Sequence, residues 1–279
     1  MEANVATQTI ITTINSMFEQ LLGSLDNSLY TTLDEITFVN SDILKNNYFE
    51  KILGTSTTNG ILLIANSLLL GIILYFAFKY LLSHFTYTEM ESPKEFIFKL
   101  IIFGICMNFS YFLLEQVINI FYYISIGIRN IGENIYLNDV SFNQIINIIN
   151  SVFSISNNAL NMFTLNGLLR GAISLSMLHL LLTYSFRYVM IKIFALLTPF
   201  AILSLSLKST SWFFKVWAKN LFSLLFIQII VALVLTILLS TDFTSGGILT
   251  KFIYIGGIYA LTKANSFVRD FIGGISTNI

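Results

Sequence analysis

Long apolar runs separated by short polar breaks dominate the chain. Ile61–Leu82 is apolar, with Asn66 the main polar intrusion and Lys79 near its end, and it is long enough to cross a hydrocarbon core of about 30 Å. Further runs follow at about Phe98–Ile126, Leu168–Met190, Leu221–Leu239 and Ile248–Ala264. Between the third and fourth lies Ile193–Leu207, apolar but flanked by Arg187 and Lys192 on one side and by Lys208, Lys215 and Lys219 on the other. As a helix this piece rises only about 22 Å, short of the core thickness. Pro199 at its middle removes a ladder bond where a chain would turn. The pattern predicts a short re-entrant hairpin over 193–207.

Two stretches carry helical stripes instead of continuous runs. In the first, Ile10, Ile11, Ile14, Met17, Phe18, Leu21, Leu22, Leu25 and Leu29 recur at three and four residues, one face of an amphipathic helix. The second opens with Ser141, a candidate cap. Phe142, Ile145, Ile146, Ile149, Val152 and Phe153 then lie opposite Asn143, Gln144, Asn147, Asn150 and Ser151. No charge occurs from Ser141 to Leu169, which argues against a helix held on anionic lipid by lysines. It leaves a docking element or the wall of a passage. Ser92-Pro93-Lys94-Glu95 reads as a helix start, with serine as cap and proline in the first turn.

Together these predict an all-α polytopic membrane protein with about five transmembrane helices, a re-entrant hairpin and amphipathic extracytoplasmic helices. Its divisions are a helical head over 1–59, transmembrane helices 1 and 2 over 60–126, and an extracytoplasmic helical loop over 127–167. Transmembrane helices 3 to 5, with the hairpin at 193–207, fill 168–265, and a tail covers 266–279.

Composition agrees. Hydrophobic residues make up 55% and charged residues 11%, against about 25% charged in a soluble domain. Net charge is zero, so bulk charge gives no case for a nucleic-acid surface. The cations are unevenly spread. With the head outside, ten of the fifteen lysines and arginines fall on the cytoplasmic side, many close to span ends, as orientation by positive charge requires. That count places the N-terminus outside and the C-terminus inside. Cys106 is the single cysteine, so no disulfide forms within the chain.

Several residues are candidates for a site. Glu115 falls within the second span beside Gln116 and Asn119, and His179 falls within the third. An ionisable side chain at that depth is costly, so these four either glue helices together or line a polar path. Lys208, Trp212, Lys215, Trp217 and Lys219 form an interfacial anchor next to the hairpin proline Pro199, or a surface for a cytoplasmic partner. Gly256, Ala260 and Ala264 are four apart, a small-residue face that permits close helix packing. No zinc-protease, phosphate-loop or serine-hydrolase motif occurs. The expectation is a protein without catalytic residues, metal or cofactor.

The stretch RYVMIKIFALLTPFAILSLSLKSTSWFFKVW, followed by a long apolar helix, resembles the TrbL family of polytopic membrane subunits of conjugative type IV secretion systems. Threonine precedes the proline here where that family more often has alanine. The likeness extends over roughly residues 60–279. It implies a multi-pass protein of the bacterial cytoplasmic membrane that forms homo-oligomers and works with other secretion subunits, including cytoplasmic ATPases. Its cargo would be single-stranded DNA with bound protein, in transient contact during transit. A small-solute or ion permease and a non-conducting membrane scaffold are the alternatives.

Overall fold

Two of the expected apolar runs merge into the longest helix among the described residues, running from Leu165 through Pro199 to Leu203. The structure is a computed structural model that describes residues 8–17, 28–54, 59–86, 92–152, 165–240 and 247–272. In chain order the helices are α1 (8–17), α2 (Ser28–Thr37), α3 (Asn47–Leu53), α4 (Ile61–Thr86) and α5 (Pro93–Asn108). They continue with α6 (Ser110–Tyr136), α7 (Phe142–Val152), α8 (Leu165–Leu203), α9 (Ser211–Leu239) and α10 (Ile248–Ile272). Tighter 3-10 turns stand at Ser41–Leu44 and Ser204–Ser206. Among the described residues there is no strand. Four stretches of the described residues are long and apolar enough to cross a membrane: Ile61–Ser83, Ser110–Tyr136, Gly167–Ser206 and Ser211–Leu239.

Hydrogen bonds fix how these helices run. Arg187 on α8 meets the Leu224 carbonyl on α9, while seven residues further along α8 the Phe194 carbonyl meets Trp217. Seven residues forward on one helix match seven back on the other, so α8 and α9 are antiparallel. On the other side of α9, Phe121 lies 5.7 Å from Phe222, and Gly132 faces Thr236. That order makes α6 parallel to α9. Leu238 of α9 fits into the surface of α10 at Gly257, where a Cβ would come within 2.2 Å of it. Glycine is required there by close approach, not by backbone conformation. α4 and α5 pair antiparallel through Asn66 with Asn108 and through the stacked rings of Phe76 and Phe96. Their Ala65 and Met107 pack on Ile202 and Leu203, at the far end of α8.

Residues 193–207 do not double back as the sequence suggested. Residues 193–203 continue α8, and the chain reverses over Ser204–Thr210 before α9 returns. Pro199 still deprives the Ala195 carbonyl of its donor, yet the helix holds because its neighbours brace it. The Thr198 hydroxyl and the Trp217 indole both donate to the Phe194 carbonyl, at 3.0 and 2.9 Å. Packing has overridden the local signal. The reversal occurs just past the expected place, so Lys208 and Trp212 remain at the turn.

The other expected spans also shift. The second is divided where α5 ends at Asn108 and α6 begins at Ser110, with Phe109 at φ −91° and ψ 9° between them. Asn108 turns its amide onto the Gly104 carbonyl, the kind of local side-chain bond that competes with a helix ladder. The fifth expected span lies within α10, which carries Lys251, Lys263, Arg269 and Asp270 and is not among the four apolar stretches. Residues 266–272, expected in a free tail, continue α10, and Val268 is fully buried.

The N-terminal region is likewise not a separate head. From Tyr30 to Leu53 it contributes to two cores shared with the long helices. Tyr30 and Leu33 join Phe142, Ile145, Tyr184 and Leu235. Val39, Ile43 and Phe49 join Ile118, Ile191 and Leu221. In α1, by contrast, Ile10 and Met17 are exposed; Phe18, Leu21, Leu22 and Leu25 of its expected stripe lie outside the described residues. The α7 stripe is buried at Phe142, Ile145 and Ile146, with Asn143 and Asn147 exposed opposite. The remainder of that stripe lies outside the described side chains.

Candidate functional site

A polar belt forms where the segment from Thr37 to Lys45 threads between α6, α8 and α9. Such a segment has little secondary structure of its own, and buried backbone groups must find partners. The long helices supply them through side chains. Gln228 of α9 accepts from the Val39 amide at 3.1 Å, and Asn119 of α6 accepts from the Ser41 amide at 3.2 Å. Arg187 of α8 donates to the Thr37 carbonyl at 2.9 Å.

Arg187 is the centre of this belt. It has no exposed surface, and its Nε donates to the Leu224 carbonyl at 2.7 Å. Two carbonyl dipoles thus stand in for the carboxylate that a buried cation ordinarily demands. One terminal nitrogen of Arg187, the Gln228 amide nitrogen and the Thr37 hydroxyl have no hydrogen-bond partner among the described residues. The belt is therefore donor-rich and under-satisfied, in a place where such groups normally are paired.

One turn away the belt becomes ionic. Lys45 lies 3.2 Å from Glu115 and 3.4 Å from Asp42. The hydrogen bonds to Glu115 and Asp42 hold the Lys45 ammonium above its ordinary pKa. Glu115 and Asn119 share a face of α6, as their spacing implied, and that face receives Lys45 and Ser41. Nearby, Lys192 stands over the rings of Tyr188 at 4.8 Å and Phe49 at 5.8 Å, another way to accommodate a cation among apolar groups.

At the opposite end of the segment, Asp34 of α2 accepts from the Phe142 amide at the start of α7. The Ser141 hydroxyl accepts from Gln144 at 3.1 Å, so two side chains cap this helix. Burial pushes the Asp34 carboxyl up to about 6, despite the opposing charge of Arg129 and the backbone bonds. Arg129 in turn donates to the Val140 carbonyl and lies over the Phe38 ring.

The candidates from the sequence are thus dispersed. Glu115 and Asn119 enter the belt, Gln116 is exposed, and His179 is exposed on α8, its carbonyl accepting from the Thr183 hydroxyl. Glu115 and His179 are not brought together. At the α8–α9 turn, Pro199 is buried while Lys208, Lys215, Lys219 and Trp212 are exposed. Trp217 is buried and locks the two helices. Gly256 and Ala260 are exposed and only Ala264 of that face is buried; the close approach is made by Gly257 instead. Among the described residues no group of three or more His, Cys, Asp or Glu side chains gathers to hold a metal.

Sequence reasoning passed over Arg187 and Gln228. Arg187 read as the cation closing a span, because Lys192 follows it and the helix was expected to end there. Its interior position follows only once 165–203 is one helix, and it removes Arg187 from the cations that argue orientation. Gln228 carried a usable signal, a lone amide in the most apolar run of the chain.

No protein-family model, curated protein or solved structure matches the chain.

Proposed function

We propose that this chain is a multi-pass subunit of a conjugative type IV secretion channel in a bacterial cytoplasmic membrane, related to the TrbL family. It would help DNA with bound protein to cross. The observation that carries this reading is the stretch 187–239: the motif that resembles that family forms the α8–α9 hairpin on which α6, α10 and the N-terminal segment all pack. Four helices able to cross a membrane support the location.

In this reading α6, α8 and α9 cross the membrane, and α4, whose start packs against Ile202 and Leu203 beside the α8–α9 turn, begins on the side that the turn faces. The turn at 204–210 then faces the cytoplasm with Lys208 and Trp212, and α7 lies outside. A re-entrant element is not needed for that topology, since one long helix and a tight turn leave Lys208–Lys219 on the same side. Copies of the chain would assemble with other secretion subunits, and cytoplasmic ATPases would drive transport. Glu115 and Arg187 act as glue between the N-terminal segment and the bundle, which weakens a permease built on a mid-membrane charge relay. A non-conducting scaffold remains the competing role.

The test is a mating assay with a donor lacking the gene. Transfer should be lost on deletion and restored by the intact chain, and a photocrosslinker at position 147 should reach the transferring strand if α7 borders the path. Normal transfer without the gene would overturn the proposal. Assembly-dependent transfer with no crosslink to DNA would favour the scaffold. Cysteine labelling after Cys106→Ser tests the topology, with position 147 reacting from outside and position 212 only from the cytoplasm.

A further inference from the structure

A cavity of about 340 Å³ lies between α5, α6, the end of α8 and the start of α9. That is within the roughly 300–1,000 Å³ of small-molecule sites. Aromatic and aliphatic side chains, with Ala218 and Trp217 among them, make nearly all of its wall. Leu113 and Phe222 are its most exposed lining residues, at 44% and 41%, so the cavity opens between them. Both belong to helices able to cross a bilayer, and an opening there faces hydrocarbon.

Three polar groups interrupt the wall. The Thr198 hydroxyl already donates to the Phe194 carbonyl, and Cys106 contributes a free thiol. Ser110 is different, because it is fully buried and its hydroxyl has no hydrogen-bond partner. A buried hydroxyl on an apolar cavity calls for an acceptor from a ligand. The surroundings add charge: Lys215 and Lys219, both exposed, directly follow the lining residues Phe214 and Ala218. Glu115, the nearest carboxylate along α6, is engaged by Lys45.

We propose that this cavity binds one acyl chain of an anionic phospholipid, with an ester carbonyl accepting from Ser110 and the headgroup drawn to Lys215 and Lys219. Only hydrocarbon reaches a mouth that opens into the bilayer, and the two lysines select the negative headgroup. The proposal rests on the membrane location of the chain and not on its place in secretion. Its consequence is that the α5–α6 junction and the α8–α9 hairpin are joined partly through lipid.

The chain carries its own probes. Trp217 lines the cavity, and Trp212, the other of its two tryptophans, is 61% exposed. Trp212→Phe leaves Trp217 as the sole emitter. The full chain with this change is reconstituted in phosphatidylcholine vesicles containing dibrominated phosphatidylglycerol or, at equal mole fraction, dibrominated phosphatidylcholine. Phosphatidylglycerol should quench Trp217 with a roughly thirtyfold preference, the scale set by two lysines at a membrane surface. The Lys215→Gln, Lys219→Gln pair should bring the preference close to unity, and Ser110→Ala should weaken quenching by roughly threefold. Ala218→Phe, which fills the cavity, should abolish the preference. A second readout needs no variant: N-ethylmaleimide should modify Cys106 severalfold more slowly in phosphatidylglycerol vesicles than in phosphatidylcholine. Equal quenching by the two lipids, or a preference untouched by the lysine pair, overturns the proposal. A chain that fails to enter vesicles would overturn the membrane location and the site together, whereas a failed mating assay leaves the site standing.

Discussion

α4 and α9 meet the same description in the sequence and have opposite surroundings in the fold. Each contains an 18-residue window apolar enough to cross a bilayer, yet 11% of the α4 window is buried against 61% of the α9 window. α9 packs between α6, α8 and α10, while α4 touches mainly α5 and the end of α8. Apolar composition reports that a helix can leave water, and says nothing of whether lipid or protein replaces it. The polar residues discriminate better. Asn220, Ser223 and Gln228 of α9 are all buried, and each requires protein around it, whereas Asn66 of α4 is answered by Asn108 alone across the helix pair.

If the α9 side is where the fold is secured, its centre should be the most sensitive point. Arg187→Leu removes two charge-assisted bonds, each of about 1.5–3 kcal/mol, and leaves the Thr37 and Leu224 carbonyls without them. Thermal melting of the detergent-solubilised chain should fall by roughly 10 °C or more, with aggregation on size exclusion. An unchanged melting point would mean that the belt is not what ties the N-terminal segment to the bundle. Next in size is Gly257→Ala. The added methyl would meet Leu238 at 2.2 Å, and overpacking of this kind costs about 1–3 kcal/mol. Trp217→Phe should lose about 1 kcal/mol with its bond to Phe194, while Trp212→Phe, at an exposed site, should lose none.

Acidity offers a separate test at the edge of the same core. Asp34 has its carboxyl raised from 3.8 to about 6 by burial. The folded state therefore holds the proton more tightly than the unfolded chain does, and stability from this group falls as pH rises from 3.8 through about 6. Melting should accordingly be higher at pH 5 than at pH 7. Asp34→Asn keeps an acceptor for the Phe142 amide, removes the charge and should flatten that difference. A pH profile identical in the variant would exclude Asp34 as its source.

How much of this was legible in the sequence depends on which forces decide each feature. The helices were legible because their signals are local: the Ser92 and Ser141 caps, the α7 stripe and the apolar runs all depend on residues within a few positions. The route of residues 28–53 was not. It read as part of an extracytoplasmic helical head, and its partners Arg187, Gln228 and Asn119 lie far along the chain. The Pro199 region failed for a related reason. Proline is a local signal for a break, and the bond from Trp217 that braces the helix comes from the returning helix α9. Glu115 was singled out as a charge within a span; the structure leaves it half-buried, and its partner Lys45 had been assigned to a different compartment of the fold.

The smallest effect should also have the opposite sign, and it falls on α4. Gly71 lies within that helix, is exposed, and a Cβ added there meets nothing within 4 Å. Glycine inside a helix is less favourable than alanine by roughly 0.5–1 kcal/mol, because the unfolded chain has more freedom to lose. Gly71→Ala should therefore raise the melting point by a few degrees at most, where the same change at Gly257 lowers it. The pair uses one chemical substitution on two helices, so propensity contributes alike to both and the difference measures packing alone. If α4 were covered by another part of the chain or by a second copy at this position, the added methyl would meet a neighbour and Gly71→Ala would destabilise as well. A gain in detergent that turns to a loss on assembly of the complex would identify this face of α4 as the contact between copies.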